Sequence, residues 1–180
     1  TLNIPRFNRL SVHPDINQVI GEFATFSLLE VSPDTELPYV EQVKNLQNQM
    51  MTDMEHSSVC GVELLRALTQ KHGSVANMPV VFTASPELGQ EQKQFEDEIA
   101  IFGSIKHAIS QTPQVDLDCQ YFMLKDELNV NWDALVHKFE HGMISAMFDE
   151  FERLLRVISS NNANWNTSLK ACLSDDQQAI

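Results

Sequence analysis

The residues in this chain that could carry chemistry are a strand-like run with alternating carboxylates, a threonine in a second such run, a Ser-Gln-Thr cluster and a pair of histidines. Asp116, Asp118 and Gln120 alternate with Val115, Leu117, Cys119 and Tyr121. That two-residue period sets the three polar side chains on one face of a strand. A carboxylate so placed either meets water on an outer sheet face or lines a cavity, where it can serve as a general acid or base. Thr83 lies in the run Val80-Val81-Phe82-Thr83. It is a good strand former, and its hydroxyl needs a polar neighbour before it can do more. Ser110-Gln111-Thr112 reads either as a turn or as a polar cluster lining a pocket. A further candidate, His137-Lys138-Phe139-Glu140-His141, spells HxxEH. On a helix its two histidines would share one side and could hold a metal, with Glu140 as ligand or base. No third ligand follows, so the expectation is two exposed histidines at a helix entrance and no metal.

The elements that must position these groups follow from periodicity. Residues 19–31 are rich in Phe, Ile, Val, Leu and Thr and end at Ser32-Pro33-Asp34, a strand followed by a turn. Tyr39, Val43, Leu46, Met50 and Met54 recur at helical spacing, and a second helix follows around Val62, Leu65 and Leu68, with Gly73 as its stop. Residues 78–85 suit a buried strand, and residues 88–102 are polar and acidic, a surface loop with some helix. Strands are expected at 105–110, at 115–124 and at 128–132, the last two joined by the Lys125-Asp126-Glu127 turn. A long helix closes the chain, with Ile144, Met147, Phe151, Leu154 and Ile158 on its buried face and Asn161-Asn162 at its end. The fold class expected is α/β, a mixed β-sheet packed with helices.

Composition bounds the rest. The 180 residues suffice for one domain with a core, and 43% hydrophobic and 21% charged residues are ordinary for a globular chain. A net charge of −13, from 12 basic and 25 acidic residues, disfavours nucleic acid and anionic membrane as partners. Cys60, Cys119 and Cys172 are odd in number and widely spaced, which suggests a reduced, cytoplasmic protein. Without an initiator Met, the chain is expected to be a piece of something longer. It carries no phosphate-binding loop, dinucleotide fingerprint or GxSxG elbow.

Several segments, in order, resemble the C-terminal half of the heterocyclization domains of nonribosomal peptide synthetases, members of the condensation-domain superfamily. Thr1-Leu2-Asn3, Phe7-Asn8-Arg9-Leu10, His13-Pro14 and Asn17 look like the family's TLxxxxFNRLxxHPxxN stretch. Asp53, His56 and Gly61-Val62-Glu63-Leu64-Leu65-Arg66 resemble its DxxHxxxxGVEVLR helix, and Pro79-Val80-Val81-Phe82-Thr83 its PVVFTS. Ser110-Gln111-Thr112-Pro113-Gln114-Val115 with Leu117-Asp118 and Gln120 is similar to SQTPQVxLDHQ, and Asn131-Trp132-Asp133 to the NWD that follows. Trp165 and Gln177 fit the closing segment. The departures are Glu22 for Asp, Ala24 before Thr25, Ala84 for Ser, Asp116 for an aromatic residue and Cys119 for His.

The resemblance implies a chloramphenicol-acetyltransferase-like lobe spanning residues 1–180, facing an N-terminal lobe that carries a DxxxxD motif and lies outside this chain. It implies an enzyme that joins a carrier-bound acyl group to carrier-bound Cys, Ser or Thr and cyclodehydrates the product to a thiazoline or oxazoline, with siderophore assembly as the setting. Asp118 would be the acid/base group, Thr83 would orient it, and Gln111 and Ser110 would bind substrate. No cofactor would be held directly; the phosphopantetheine arms of peptidyl or aryl carrier proteins would bring the substrates, and an adenylation domain would neighbour the site. One lobe alone would be inactive. The alternatives are a domain that only condenses and a noncatalytic lobe that docks a carrier protein.

Overall fold

The computed structural model describes residues 1–7, 9, 11–85, 101, 103, 107, 109–124 and 127–169. The chain divides into two compact units. One comprises Thr1–Leu28 and Val59–Leu135, the other Leu29–Ser58 and Val136–Ile180.

The first unit is built on a five-stranded sheet. Its strands are β1 (Leu2–Phe7), β2 (Ala24–Leu29), β3 (Val80–Ser85), β4 (Leu117–Leu124) and β5 (Glu127–Ala134), in the spatial order β2-β1-β3-β4-β5. β3 runs parallel to both β1 and β4, whereas β4 and β5 form an antiparallel pair from Leu117↔Ala134 to Leu124↔Glu127. The sheet is therefore mixed, as expected. Of the turn joining β4 to β5, Lys125 and Asp126 lie outside the described residues, as do most of 88–102, Cys172 and Gln177.

Strand β1 has no counterpart in the sequence reading. Pro5 in its middle argues against a strand, because proline has no N–H for a ladder. The pairing with β3 registers at Asn3↔Val81, on the N-terminal side of that proline.

The strand expected over 19–31 is shorter, and the cause is Arg9. Its guanidinium donates to the carbonyls of Ile16 (2.6 Å) and Val19 (2.9 Å) and lies 3.9 Å from the centre of the Phe23 ring. A 3-10 turn forms at Ile16–Gln18 instead, and β2 begins only at Ala24. Carbonyls bound to a side chain cannot also serve a strand ladder at full strength. The strand expected at 105–110 is not observed where it is described: His107, Ile109 and Ser110 lie outside any strand.

Helix α1 (Tyr39–Glu55) belongs to the second unit and helix α2 (Gly61–His72) to the first. Gly73 ends α2 as expected, in the left-handed conformation (φ 68°) that only glycine adopts without cost, its N–H bonded to Thr69 O at 2.9 Å. At the other end of α2, Gly61 is buried against Phe26 of β2; a Cβ there would come within 2.2 Å of the ring and 2.8 Å of the Phe26 carbonyl. The apolar stripe read for α1 is only partly covered. Leu46 is half-buried, but Met50 and Met54 are 44% and 54% exposed.

In the second unit, α3 (Met143–Ser160) is followed by a 3-10 turn, Asn162–Asn166, that joins it to α1. Tyr39 donates its N–H to Thr167 O at 2.9 Å and meets the Trp165 ring edge-on at 5.4 Å. Asn164 Nδ2 reaches back to Val157 O at 2.6 Å. Ile144, Phe151, Leu154 and Ile158 are half-buried as expected, while Met147 is 40% exposed. The HxxEH stretch does not lie on an α-helix. His137 sits in the 3-10 turn Val136–Lys138, His141 in a turn, and α3 starts only at Met143. The i, i+4 argument for a shared metal therefore does not apply to these histidines. No group of three or more metal-ligating side chains forms among the described residues, and no helix among them is long and apolar enough to cross a membrane.

Register divides the first unit's sheet into two faces. One carries the apolar row Phe82, Cys119 and Trp132, with Tyr121 tilted against Phe82 at 6.0 Å. Burial and then the neighbouring Asp118 charge push the Cys119 thiol from 9.0 up to about 11.

Two outcomes follow. Gly61→Ala should destabilise the protein by about 1–3 kcal/mol, the usual cost of overpacking, in a denaturant melt; an unchanged midpoint would show that Phe26 yields freely. At pH 8, Cys119 should react with iodoacetamide about 100-fold more slowly in the folded than in the denatured protein, followed by peptide mass mapping, because only the thiolate attacks. Because the folded value is the higher one, the corresponding stability is present below pH 9 and is lost as the pH rises towards 11. Equal alkylation rates would contradict the burial.

Candidate active site

The other face of the sheet is polar, and its composition follows from the pairing. Partners in register project to the same side, so Asn3, Val81, Asp118 and Asp133 form one row across β1, β3, β4 and β5. Thr83, Gln120 and Asn131 form the next row. Interior strands usually carry apolar residues on a covered face. Here six of these seven positions are polar.

Asp118 is the centre of this face. It is only 7% exposed, comparable to Leu29 at 8% and Val81 at 7%. A buried carboxylate is costly unless hydrogen-bonded. Thr83 Oγ1 donates to Asp118 Oδ1 at 3.4 Å, and Gln120 Nε2 donates to Asp118 Oδ2 at 2.8 Å. No lysine or arginine forms an ion pair with it among the described residues. Both partners are neutral, so the carboxyl group is oriented without being locked to a fixed cation. That is a suitable arrangement for a group that gives and takes a proton.

Asp133, the register partner of Asp118, accepts the backbone N–H of Ser110 at Oδ2, at 2.6 Å. Ser110 is half-buried, and the next residue, Gln111, is exposed. The chain then turns: Val115 N bonds to Thr112 O at 3.3 Å, with Pro113 and Gln114 at the corner. Gln114 has φ 68°, the one non-glycine residue with positive φ among those described. Proline followed by a residue with positive φ is the pattern of a type II turn, in which glycine is the usual occupant of the second place. Placing Gln there costs about 1–2 kcal/mol of backbone energy, a strain that persists where the surroundings fix the conformation. The segment re-enters the sheet where Asp116 N and Leu117 N share Pro79 O, at 2.8 and 3.2 Å.

The structure thus brings Thr83 and Asp118 into hydrogen-bond contact and holds Ser110 at the same face through Asp133; Gln111 lies exposed beside Ser110. Of the residues read from sequence as a strand (105–110) and as a turn or pocket cluster (110–112), the described stretch 109–112 lies outside any strand and is tethered through the Ser110 N–H. Asp133 and Asn3 were missed as site candidates. Asn3 Oδ1 is buried without a hydrogen-bond partner among the described residues. The signal available for Asp133 was its place in the Asn131-Trp132-Asp133 motif, and no sequence spacing could place Asn3 three strands away from it. The departures from the family pattern fall off this face. Cys119 and Ala84 lie on the opposite side of the sheet, Asp116 precedes β4, and the Glu22 carboxylate accepts Ala24 N at 2.7 Å.

No protein-family model matches the chain. It is 38% identical over 165 residues, 91% of its length, to the pyochelin synthetase PchF of Pseudomonas aeruginosa. It is 35% identical over 181 aligned residues, covering 99% of the chain, to the phenyloxazoline synthase MbtB of Mycolicibacterium paratuberculosis. The chain spans only 9% and 15% of the lengths of these two proteins. Among solved structures it is similar to the cyclization-docking bidomain of the nonribosomal peptide synthetase EpoB from Sorangium cellulosum. The match has a TM-score of 0.70 at 26% identity, over 89% of this chain and 32% of that one. Matched almost end to end by segments of these synthetases and by a cyclization bidomain, the chain is a homologue of the heterocyclization domains of nonribosomal peptide synthetases.

Proposed function

We propose that this chain forms the C-terminal lobe of a heterocyclization domain and contributes Asp118 and Thr83 to its cyclodehydration site. The observation that carries this reading is the burial of Asp118 with two neutral hydrogen-bond donors, Thr83 and Gln120, on a polar sheet face. The names of the relatives, a pyochelin synthetase and a phenyloxazoline synthase, support a five-membered ring as product and siderophore assembly as the setting.

The domain first joins an acyl thioester to the amine of a carrier-bound Cys, Ser or Thr, releasing the upstream carrier thiol. The side-chain thiol or hydroxyl then adds to the new amide carbonyl. The C–S or C–O bond forms, the nucleophile's proton leaves, and the carbonyl oxygen gains a proton to become a hydroxyl. In the last step the C–OH bond breaks and the hydroxyl departs as water once protonated. The ring nitrogen loses its proton, and a C=N bond forms. Asp118 carries protons in the addition and delivers one to the departing hydroxyl; the Thr83 hydroxyl orients the carboxylate. General acid–base assistance of this kind contributes about 10²–10⁴-fold. Ser110 and Gln111 contact the substrate from the adjoining loop. Peptidyl or aryl carrier proteins present both reactants on phosphopantetheine arms, an adenylation domain loads one of them, and a second lobe completes the site. Such tethering supplies much of the rate of the amide-forming step by proximity.

In the intact synthetase, Asp118→Asn should lower ring formation about 100-fold or more while open-chain amide accumulates, and Thr83→Val should act in the same direction more weakly. Mass spectrometry of the carrier-bound product separates the two, since the ring lacks one further water. Ring formation at the parental rate in Asp118→Asn would remove Asp118 from the mechanism. Parental synthetase that yields only open amide would identify a domain that condenses without cyclizing, and carrier binding without any turnover would identify a docking lobe.

A further inference from the structure

The loop that carries Ser110 and Gln111 is fastened at both ends, by different means. At its C-terminal end the ties are backbone to backbone: Asp116 N and Leu117 N to Pro79 O, and Leu135 N to Asp116 O at 2.9 Å. These extend the β3–β4 and β4–β5 pairings at the ends of the strands and would form with almost any side chains. The turn at Pro113-Gln114 stiffens the middle, and Asn77 Nδ2 reaches Gln114 O at 3.4 Å. At the N-terminal end the hold among the described residues is a side chain, the Asp133 carboxylate on the Ser110 N–H at 2.6 Å. An N–H bonded to a carboxylate is shorter and about twice as strong as one bonded to a neutral acceptor.

Asp133 is also the cross-strand neighbour of Asp118 on the polar face. Like charges directly opposite one another on paired strands are destabilising. A carboxylate in that position therefore works against the sheet's own electrostatics, and a neutral side chain would relieve it. The Ser110 contact is the compensating gain that the structure displays.

We propose that Asp133 is a positioning residue for the cyclodehydration site: its carboxylate anchors the 110–115 loop and so fixes Ser110 and Gln111 relative to Asp118. This rests on the reading of Asp118 given above. It differs from that reading in assigning Asp133 no proton transfer. Asp133 acts through the Ser110 amide, and a carbonyl oxygen at the same place can do the same work.

The test uses three substitutions and one control in the intact synthetase, with rates of amide and ring formation measured separately on carrier-bound substrates. Asp133→Ala removes the acceptor and should depress ring formation at least 10-fold more than amide formation, since displacement of a reacting group by about 1 Å can cost 100-fold. Asp133→Asn keeps an oxygen acceptor and should restore ring formation to within a few-fold of the parent. Ser110→Pro removes the N–H from the other partner; read against a Ser110→Ala control, which loses only the hydroxyl, its additional loss should reproduce Asp133→Ala and decides the matter if that variant does not fold. Selective loss in Asp133→Ala, or in Ser110→Pro beyond that of Ser110→Ala, with rescue in Asp133→Asn, supports the anchor. Ring formation as poor in Asp133→Asn as in Asp133→Ala would overturn it in favour of a role for the charge, and ring formation in Ser110→Pro no lower than in Ser110→Ala would overturn it outright. Asp118→Asn measured alongside keeps the two readings apart: if ring formation survives that change, the role of Asp118 fails whatever Asp133 does.

Discussion

The register between β3 and β4 is the constraint on which the site depends. Val81 faces Asp118 and Thr83 faces Gln120 across a parallel pair. Because side chains alternate along a strand, a shift of one residue would send Thr83 to the opposite face from Asp118. The hydroxyl would then lie on the side of Cys119 and Trp132, Phe82 would be turned to the polar face, and the buried carboxylate would lose one of its two donors. Register in turn is held by the apolar side of the same sheet, where Leu117, 4% exposed, pairs with Val80. The polar chemistry of one face is thus set by the hydrophobic packing of the other.

Much of the frame was legible in the sequence, because its elements are local. Helices α1, α2 and α3 follow from apolar spacing, and Gly73 and Asn161 mark real ends. Strands β3, β4 and β5 follow from β-branched and alternating runs. Two of the errors share a physical origin, which is that side chains from elsewhere took over backbone groups. Arg9 occupies the carbonyls of Ile16 and Val19, so the strand expected from 19 starts late. Asp133 binds the N–H of Ser110, which is no part of a strand. Pro5 hid β1 because a proline signal is read locally, whereas its tolerance depends on where the neighbouring strand makes its bonds.

The site was legible only as a pair of residues. Resemblance singled out Thr83 and Asp118, and alternation correctly put Asp118 and Gln120 on one side. That Asp118 itself is only 7% exposed could not be read from alternation, which fits a solvated face equally well. Asn3 and Asp133 join the same row only through pairings between distant parts of the chain. The substitution of Cys for the family's His at position 119 looked close to the chemistry because it is next to Asp118 in sequence. In space it belongs to the apolar face, with a thiol that burial keeps protonated.

The mixed direction of the sheet also orders events in time. Strands β4 and β5 are antiparallel neighbours joined at Leu124↔Glu127, a hairpin of the kind that closes in about 1–10 μs. The Thr83–Asp118 contact instead spans 35 residues and needs a parallel crossover. Such non-local pairing must bear its loop-closure entropy before any contact repays it, and it forms slowly. Asp118 and Asp133 are therefore brought side by side early, and the hydroxyl of Thr83 arrives late. During folding, hydrogen-exchange protection of the hairpin would precede the Thr83–Asp118 contact, and the carboxylate would wait in place for the hydroxyl that donates to it.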